Sequence, residues 1–317
     1  MPTPIHQRFD NFRHQKRTRA GSLIISVFGD VVVPRGSRIW LGSLISLLKP
    51  LALTERLVRT SVFRLAKEDW LRAVPSGRRS DYLLTPLGQR RAEAASRRIY
   101  ASSAPPWDQR WRLIIAAGDL TAHQREDLRR LLAWQGFGTL SGGCFVHPGA
   151  DLSSTFDILI AEGLGDALAR LKPLLAADAQ LGGAASDIDL VRAAWNLEQL
   201  SALYLDFVEC YQPALAQLRG GQSEIDDESA FLLRVLVIHD YRRLLLRDPD
   251  LPDVLLTPDW PGKKARLLCK ELYRRLLVPS ERHLDGCFQL ADGDAPKASV
   301  SLLANRFRES DPLGQVA

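Results

Sequence analysis

Apolar and polar positions change their spacing several times along the chain, and each change marks an element. Gly21–Phe28 (GSLIISVF) opens a first core helix. In Arg38–Leu48, residues Ile39, Leu41, Leu44, Ile45 and Leu48 fall at helical spacing before Lys49-Pro50-Leu51-Ala52-Leu53 interrupts them. Thr54 then stands where a side-chain oxygen can cap a second helix running to Lys67. Beyond it, Trp70–Val74 and Asp81–Leu84 flank Pro75–Ser80 as two short strands, with Gly77 supplying the tight turn. Helix, turn, helix and basic hairpin is the order of a winged helix-turn-helix, expected over residues 21–100.

Thr85–Tyr100 continues as a helix with Ala92, Ala95 and Ile99 as its stripe, and Ala101–Pro106 reads as a linker. Trp111–Ala116 has the composition of a buried strand, and Thr121 with Gln124 fits a capping box for a helix ending near Trp134. Phe137–Leu140, Gly143–His147 and Phe156–Ile160 are short strand candidates, and Gly165–Leu175 a further helix. With a closing strand, β-α-β-β-α predicts a ferredoxin-like middle domain over 101–187. From 188 to 290 the spacing is helical, through Trp195, Leu197, Leu200, Leu203, Tyr204 and Phe207, then Phe231–Leu246 and Ala265–Leu277. Residues 1–20 read as a flexible basic arm and 291–317, polar and aperiodic, as a disordered tail. The expected fold class is α+β multidomain.

The second helix carries the most specific chemistry. Taking Arg56 as origin at about 100° per residue, Arg59, Thr60, Arg64 and Lys67 fall within roughly 80° of it. Leu57, Val58, Ser61, Val62 and Leu65 occupy the other side. A helix entering a major groove needs long hydrogen-bonding side chains on one face and a packed apolar face behind them. Arg56, Arg59, Thr60, Arg64 and Lys67 are therefore the candidates for groove contacts, and Arg78 and Arg79 at the hairpin tip for phosphate or minor groove. Phe63 shares the basic face, where a thymine methyl or the preceding helix is its partner.

Charge agrees with this placement. Residues 1–112 hold 21 Lys and Arg against 8 Asp and Glu, so the remainder of the +5 chain is acidic. The basic part is the part with the two helices, as phosphate binding with counterion release requires. Cys144, Cys210, Cys269 and Cys287 lie far apart without a C-x-x-C pair, which gives no basis for structural zinc or a disulfide framework. No apolar run reaches membrane-spanning length, and a reducing, cytoplasmic setting is expected. No nucleophile elbow, H-E-x-x-H or Walker loop stands in the sequence, so no catalytic residue, metal ligand or cofactor is assigned. The middle domain lacks the paired surface aromatics of an RNA-stacking sheet and a metal-binding carboxylate set, against RNA or nuclease work.

Several blocks are familiar together. Gly29-Asp30, Gly36, Trp40-Leu41-Gly42, Val58-Arg59-Thr60-Ser61, Arg64-Leu65-Ala66, Trp70-Leu71 and Tyr82–Gly88 resemble the DNA-binding region of the PaaX family. The later block His239–Arg243, Arg247-Asp248-Pro249, Leu251-Pro252, Asp259–Gly262 and Ala265-Arg266 is similar to that family's C-terminal region. The chain departs from the family pattern at Ala52, where glycine is expected in the turn, and at Gly77-Arg78-Arg79 in place of an Arg-Gly-Arg tip. The resemblance implies a transcriptional repressor of phenylacetate degradation genes, released from operator DNA by phenylacetyl-CoA.

An acyl-CoA site combines basic groups, aromatic walls and free backbone N–H groups. His239, Tyr241, Arg242, Arg243, Trp260, Lys263 and Lys264 offer that combination and are the candidate effector residues. The expected partners are double-stranded operator DNA, an acyl-CoA effector and a second copy in a homodimer, since reading two half-sites calls for two copies. Two alternatives stand beside this reading: a repressor answering to a different acyl-CoA, and an enzyme acting on CoA thioesters.

Overall fold

The computed structural model of the chain describes residues 3–15, 20–177, 185–220 and 225–308. The chain divides into two compact units: residues 1–102, 204–244 and 264–317 form one, and 103–203 with 245–263 the other.

The first unit opens with α1 (Pro4–Arg13), capped by the Thr3 side chain, which accepts from the His6 N–H. Its Ile5, Phe9 and Phe12 recur at helical spacing and are buried, and Arg8 is paired with Asp240. The expected flexible arm is thus corrected over 3–15. An apolar stripe hidden among basic residues anchors it, and residues 16–19 lie outside the described part. Helix α2 (Ala20–Val27) is buried along nearly its whole length and continues as a π-helical stretch over Phe28–Val32.

The next helix starts later than expected. Strand β1 (Arg38–Trp40) precedes α3 (Leu41–Leu48), because Ile39 turns inward between two half-buried neighbours and the strand finds a partner much further along the chain. After a 3-10 turn at Lys49–Leu51, Ala52 adopts left-handed backbone with φ 59°. The Thr54 hydroxyl then accepts from the Leu57 N–H and begins α4 (Glu55–Lys67). Strands β2 (Leu71–Ser76) and β3 (Arg79–Leu84) form a hairpin whose loop is Gly77-Arg78, with Gly77 at φ 58°. β1 adds to the far side of β3, so the antiparallel sheet runs β1-β3-β2. Helix α5 (Pro86–Ile99) follows, capped by Thr85.

The second unit carries β4 (Arg110–Ala116), α6 (Ala122–Trp134), β5 (Gly138–Leu140), β6 (Cys144–His147), α7 (Leu152–Leu159), β7 (Leu171–Ala177) and α8 (Asp187–Ala194). The capping box at Thr121 and Gln124 is formed. The four strands make one antiparallel sheet in the order β5-β6-β4-β7. Two elements exchange the types read from sequence. Phe156–Ile160 is not a strand: Asp151 accepts from the N–H groups of Ser153 and Ser154, and Thr155 and Leu159 are buried at i, i+4. Gly165–Leu175 is a 3-10 segment followed by β7, whose Pro173 is tolerated because β7 is an edge strand.

The sheet is covered on both faces. Ile114, Leu128, Leu132, Phe137, Phe145 and Leu159 pack together in one cluster, and Trp111, Val146, Val191, Leu251 and Leu255 in another. Trp195 belongs to the second and not to the following helix: its indole N–H donates to the Gly136 carbonyl at 3.0 Å. It lies so close over Gly138 that a Cβ there would stand 2.6 Å from the ring.

The remaining elements are α9 (Leu197–Arg219), α10 (Asp227–Leu245), α11 (Pro261–Cys287) and α12 (Val300–Ala304). Residues 188–290 therefore do not stand as a separate helical unit, since 204–244 and 264–317 group with residues 1–102. The expected disordered tail is corrected over 291–308. Phe307 is fully buried, its N–H donates to the Tyr100 carbonyl, and Arg306 pairs with Asp30 at 2.8 Å. Residues 309–317 lie outside the described part.

Candidate nucleic-acid interface

Helix α4 separates its two faces as its sequence indicates. Val58, Ser61, Val62 and Leu65 are buried, while Arg56, Arg59, Thr60, Arg64 and Lys67 are exposed. Leu57, expected on the packed side, lies at the margin and is exposed. The basic residues are partly organised before any partner arrives. Arg59 Nε donates to Glu55 Oε1 at 2.7 Å, Arg64 approaches Glu68 at 3.6 Å, and the Thr60 hydroxyl donates to the Arg56 carbonyl at 2.8 Å. The two ion pairs are exposed and one turn apart, so each holds its arginine only loosely. The Arg64 guanidinium also reaches back over Gly21, where a Cβ would stand 2.8 Å from Nη2.

Phe63 lies on the same face and is 62% exposed, with the Lys67 ammonium 4.9 Å from its ring centroid. A large apolar ring held out on a basic face matches the chemistry of a thymine methyl better than that of a core. At the hairpin, Arg78 and Arg79 are both exposed, but they differ. The Arg79 guanidinium stacks 4.4 Å over the Trp40 ring, whereas Arg78 occupies the loop itself.

The hairpin is braced from the far end of the chain. The buried Asp81 carboxylate accepts from the Ala291 N–H at 2.7 Å, and the Trp40 N–H donates to the Gln289 carbonyl at 3.1 Å. Ser43 both donates to the Cys287 carbonyl and accepts from the Gln289 N–H. Sequence patterning missed this brace, since it joins residues more than 200 positions apart. The one available signal was Asp81, an acid inside a strand.

The candidate effector residues are divided between the two units. His239, Tyr241, Arg242, Arg243 and Lys264 belong to the first unit, and Trp260 and Lys263 to the second. His239 is buried on α10 with Nδ1 3.1 Å from the Ser26 hydroxyl. Burial, set against the nearby Asp240 charge, pulls its pKa down to about 4, so the ring is neutral. Tyr241 is buried against Phe207. Arg242 is half-buried and donates to the Ser22 hydroxyl at 3.3 Å; burial lowers its pKa. Arg243 and Lys264 are exposed. Trp260 packs in the second unit beside Leu251 and Leu255, and its indole lies over Gly262, where a Cβ would be 2.4 Å away. Among the described residues no group of three or more His, Cys, Asp and Glu is placed to hold a metal, and no helix is long and apolar enough to cross a membrane.

This is a mixed helix-and-sheet protein with a Cas2-like central domain: the model of the PaaX protein central Cas2-like domain matches residues 104–169. The PaaX-like protein model matches residues 19–88, and that of the PaaX-like protein C-terminal domain matches 195–286. The chain is 36% identical over 289 residues to the transcriptional repressor PaaX of Escherichia coli (strain K12), across 90% of this chain and 89% of that protein. The chain belongs to the PaaX family. A solved structure of Rv0674, an uncharacterized protein from Mycobacterium tuberculosis, shares the fold at a TM-score of 0.51, covering 82% of this chain and 98% of that one at 22% identity. The named relative is a transcriptional repressor.

Proposed function

We propose that this protein is a sequence-specific transcriptional repressor of phenylacetate catabolism genes that binds operator DNA as a homodimer in the cytoplasm and is released by phenylacetyl-CoA. In this reading α3, α4 and the β2–β3 hairpin are a winged helix-turn-helix. Helix α4 enters the major groove and the hairpin meets the neighbouring backbone. The second unit, with its β-α-β-β-α-β order and 4-1-3-2 strand arrangement, is a ferredoxin-like domain.

The observation that carries the reading is the division of α4 into a buried face of Val58, Val62 and Leu65 and an exposed face of arginine, threonine and phenylalanine. Nothing in packing explains why Phe63 faces solvent, and base contact does. The E. coli relative named as a repressor supports the regulatory half of the proposal. Its effector half rests on the resemblance together with the basic and aromatic residues of α10. Protection of the DNA upstream of this protein's own locus against nuclease, with and without phenylacetyl-CoA, tests both halves. A discrete footprint erased by the thioester is expected. A footprint that ignores phenylacetyl-CoA transfers the search to other acyl-CoAs, and no footprint removes the repressor reading.

A further inference from the structure

Thirteen residues at about 1.5 Å each make α4 roughly 20 Å long, and a major groove is about 12 Å wide, so a helix set into the groove reaches the phosphate strands that line it. An element packed against its start therefore stands beside DNA backbone. That element is α1. Arg13 Nε donates to the Pro50 carbonyl at 2.9 Å, in the 3-10 turn Lys49–Leu51 that leads into α4. Arg13 and Lys49 are both exposed, on the same turn, and Arg56 is exposed just inside the helix that follows. Three cations thus stand around the start of α4, and only Arg56 was singled out by the pattern of that helix.

Helix α1 is held in that place from behind. Ile5, Phe9 and Phe12 are buried, and Arg8 donates to the Tyr211 hydroxyl at 3.1 Å and pairs with Asp240. The Tyr211 hydroxyl donates to the same carboxylate at 2.7 Å. The basic end of α1 is thus tied to α9 and α10 before any partner arrives, and little ordering entropy is left to lose on binding. Arg13 uses Nε for Pro50 and Nη1 for Asp10 at 3.0 Å, and Nη2 takes part in neither bond. The pair with Asp10 is exposed and one turn apart, which makes it weak. A phosphate brings a charge-assisted hydrogen bond and the release of its counterions, and so competes well for this guanidinium. Compensation of the helix dipole accounts for a cation at the end of α1, but not for its reach onto the turn before α4.

We propose that the end of α1 and the turn before α4 form a further DNA-backbone contact, in which Arg13 and Lys49 hold phosphates at the edge of the groove that α4 enters. The inference rests on the repressor reading. Its test is fluorescence anisotropy of the full chain and of the double variant Arg13→Gln with Lys49→Gln, on operator and scrambled duplexes over a range of salt. The double variant is expected to lose about tenfold on both duplexes alike, with the slope of log affinity against log salt smaller by about two. Preference for operator over scrambled duplex stays within about twofold, because phosphate contacts carry no sequence information. A role confined to holding α1 against the turn would lower affinity at an unchanged salt slope, and that result overturns the proposal, as does unchanged affinity. Ethylation interference reads the same contact from the DNA side. Phosphates flanking the base contacts are expected to matter to the unaltered chain and to stop mattering to the double variant, and identical patterns for the two overturn the proposal. The two readings fail separately. An unaltered chain that does not prefer operator removes the repressor reading, whereas one that prefers it, beside a double variant of unchanged salt slope, removes only the contact from α1 and its turn.

Discussion

The carboxylate of Asp30 and the guanidinium of Arg234 face each other at 2.8 Å with essentially no access to solvent. Arg306 reaches the same carboxylate at 2.8 Å, and the Tyr100 hydroxyl donates to it at 2.6 Å. Arg234 goes on to Glu281 at 2.6 Å, which also holds Arg35. Residues from the N-terminal helices, α10, α11 and the C-terminal segment thus share one buried charge network. Burial alone would push the Asp30 carboxyl up, but the charges of Arg234 and Arg306 with the Tyr100 hydrogen bond hold it below the ordinary aspartate value. Removing one partner strands the others, so Arg234→Met is expected to cost about 3–5 kcal/mol. Urea unfolding at neutral pH measures it, and an unchanged midpoint would contradict the network's role. Because the Asp30 pKa is depressed, its contribution is present above the unfolded-state aspartate pKa and is lost as pH falls through the folded value.

His239 adds a second pH dependence at higher pH. Its folded pKa of about 4 lies below the ordinary histidine value of 6.5. Below pH 6.5 the unfolded chain takes up a proton that the folded chain refuses, so stability drops as pH falls towards 4, by on the order of 3 kcal/mol at most. His239→Gln should flatten the urea midpoint between pH 7 and 5 relative to wild type. Parallel profiles for the two proteins would show that His239 is not buried neutral.

Phe307 tests the C-terminal segment. It is fully buried against Tyr100 and Tyr273, with ring centroids 5.4 Å from each. Phe307→Ala should cost about 3–5 kcal/mol, the usual penalty for emptying an aromatic core site. A loss within error of zero would restore the reading of 291–308 as a tail without structure.

Ala52 occupies the turn between α3 and α4 with φ 59°, a conformation that strains any residue with a Cβ. Ala52→Gly removes that strain but loosens the unfolded chain, and the net expectation is a gain of about 0.5–1 kcal/mol. Thermal or urea unfolding decides it. Destabilisation would mean that the alanine methyl contributes more than the backbone strain costs.

These outcomes also mark how far the sequence can be read. The two faces of α4 are legible because thirteen residues sample every direction around the helix and a capping threonine fixes the start. β1 is not, because three residues cannot show alternation and its partner lies in the hairpin. α7 and β7 change type because short apolar runs such as Phe156–Ile160 fit either period, and capping by Asp151 decides the first. The glycine expected at position 52 pointed to a real left-handed turn even though alanine fills it. The Asp30 network was illegible, since its partners stand 204 and 276 residues away in sequence. For the candidate effector residues, composition placed arginines, histidine and tyrosine on α10, but which of them are buried depends on what packs against that helix.

The most direct test of the account is fluorescence anisotropy of labelled operator and scrambled duplexes with wild type, Arg59→Ala, Arg64→Ala and Arg78→Ala, each over a range of salt. If α4 reads bases, Arg59→Ala and Arg64→Ala lose about 1–3 kcal/mol on the operator and discriminate less against the scrambled duplex. Arg78→Ala weakens both duplexes alike and lowers the salt slope by about one. Operator affinity and discrimination left unchanged by both α4 substitutions would contradict the assignment of this helix to DNA.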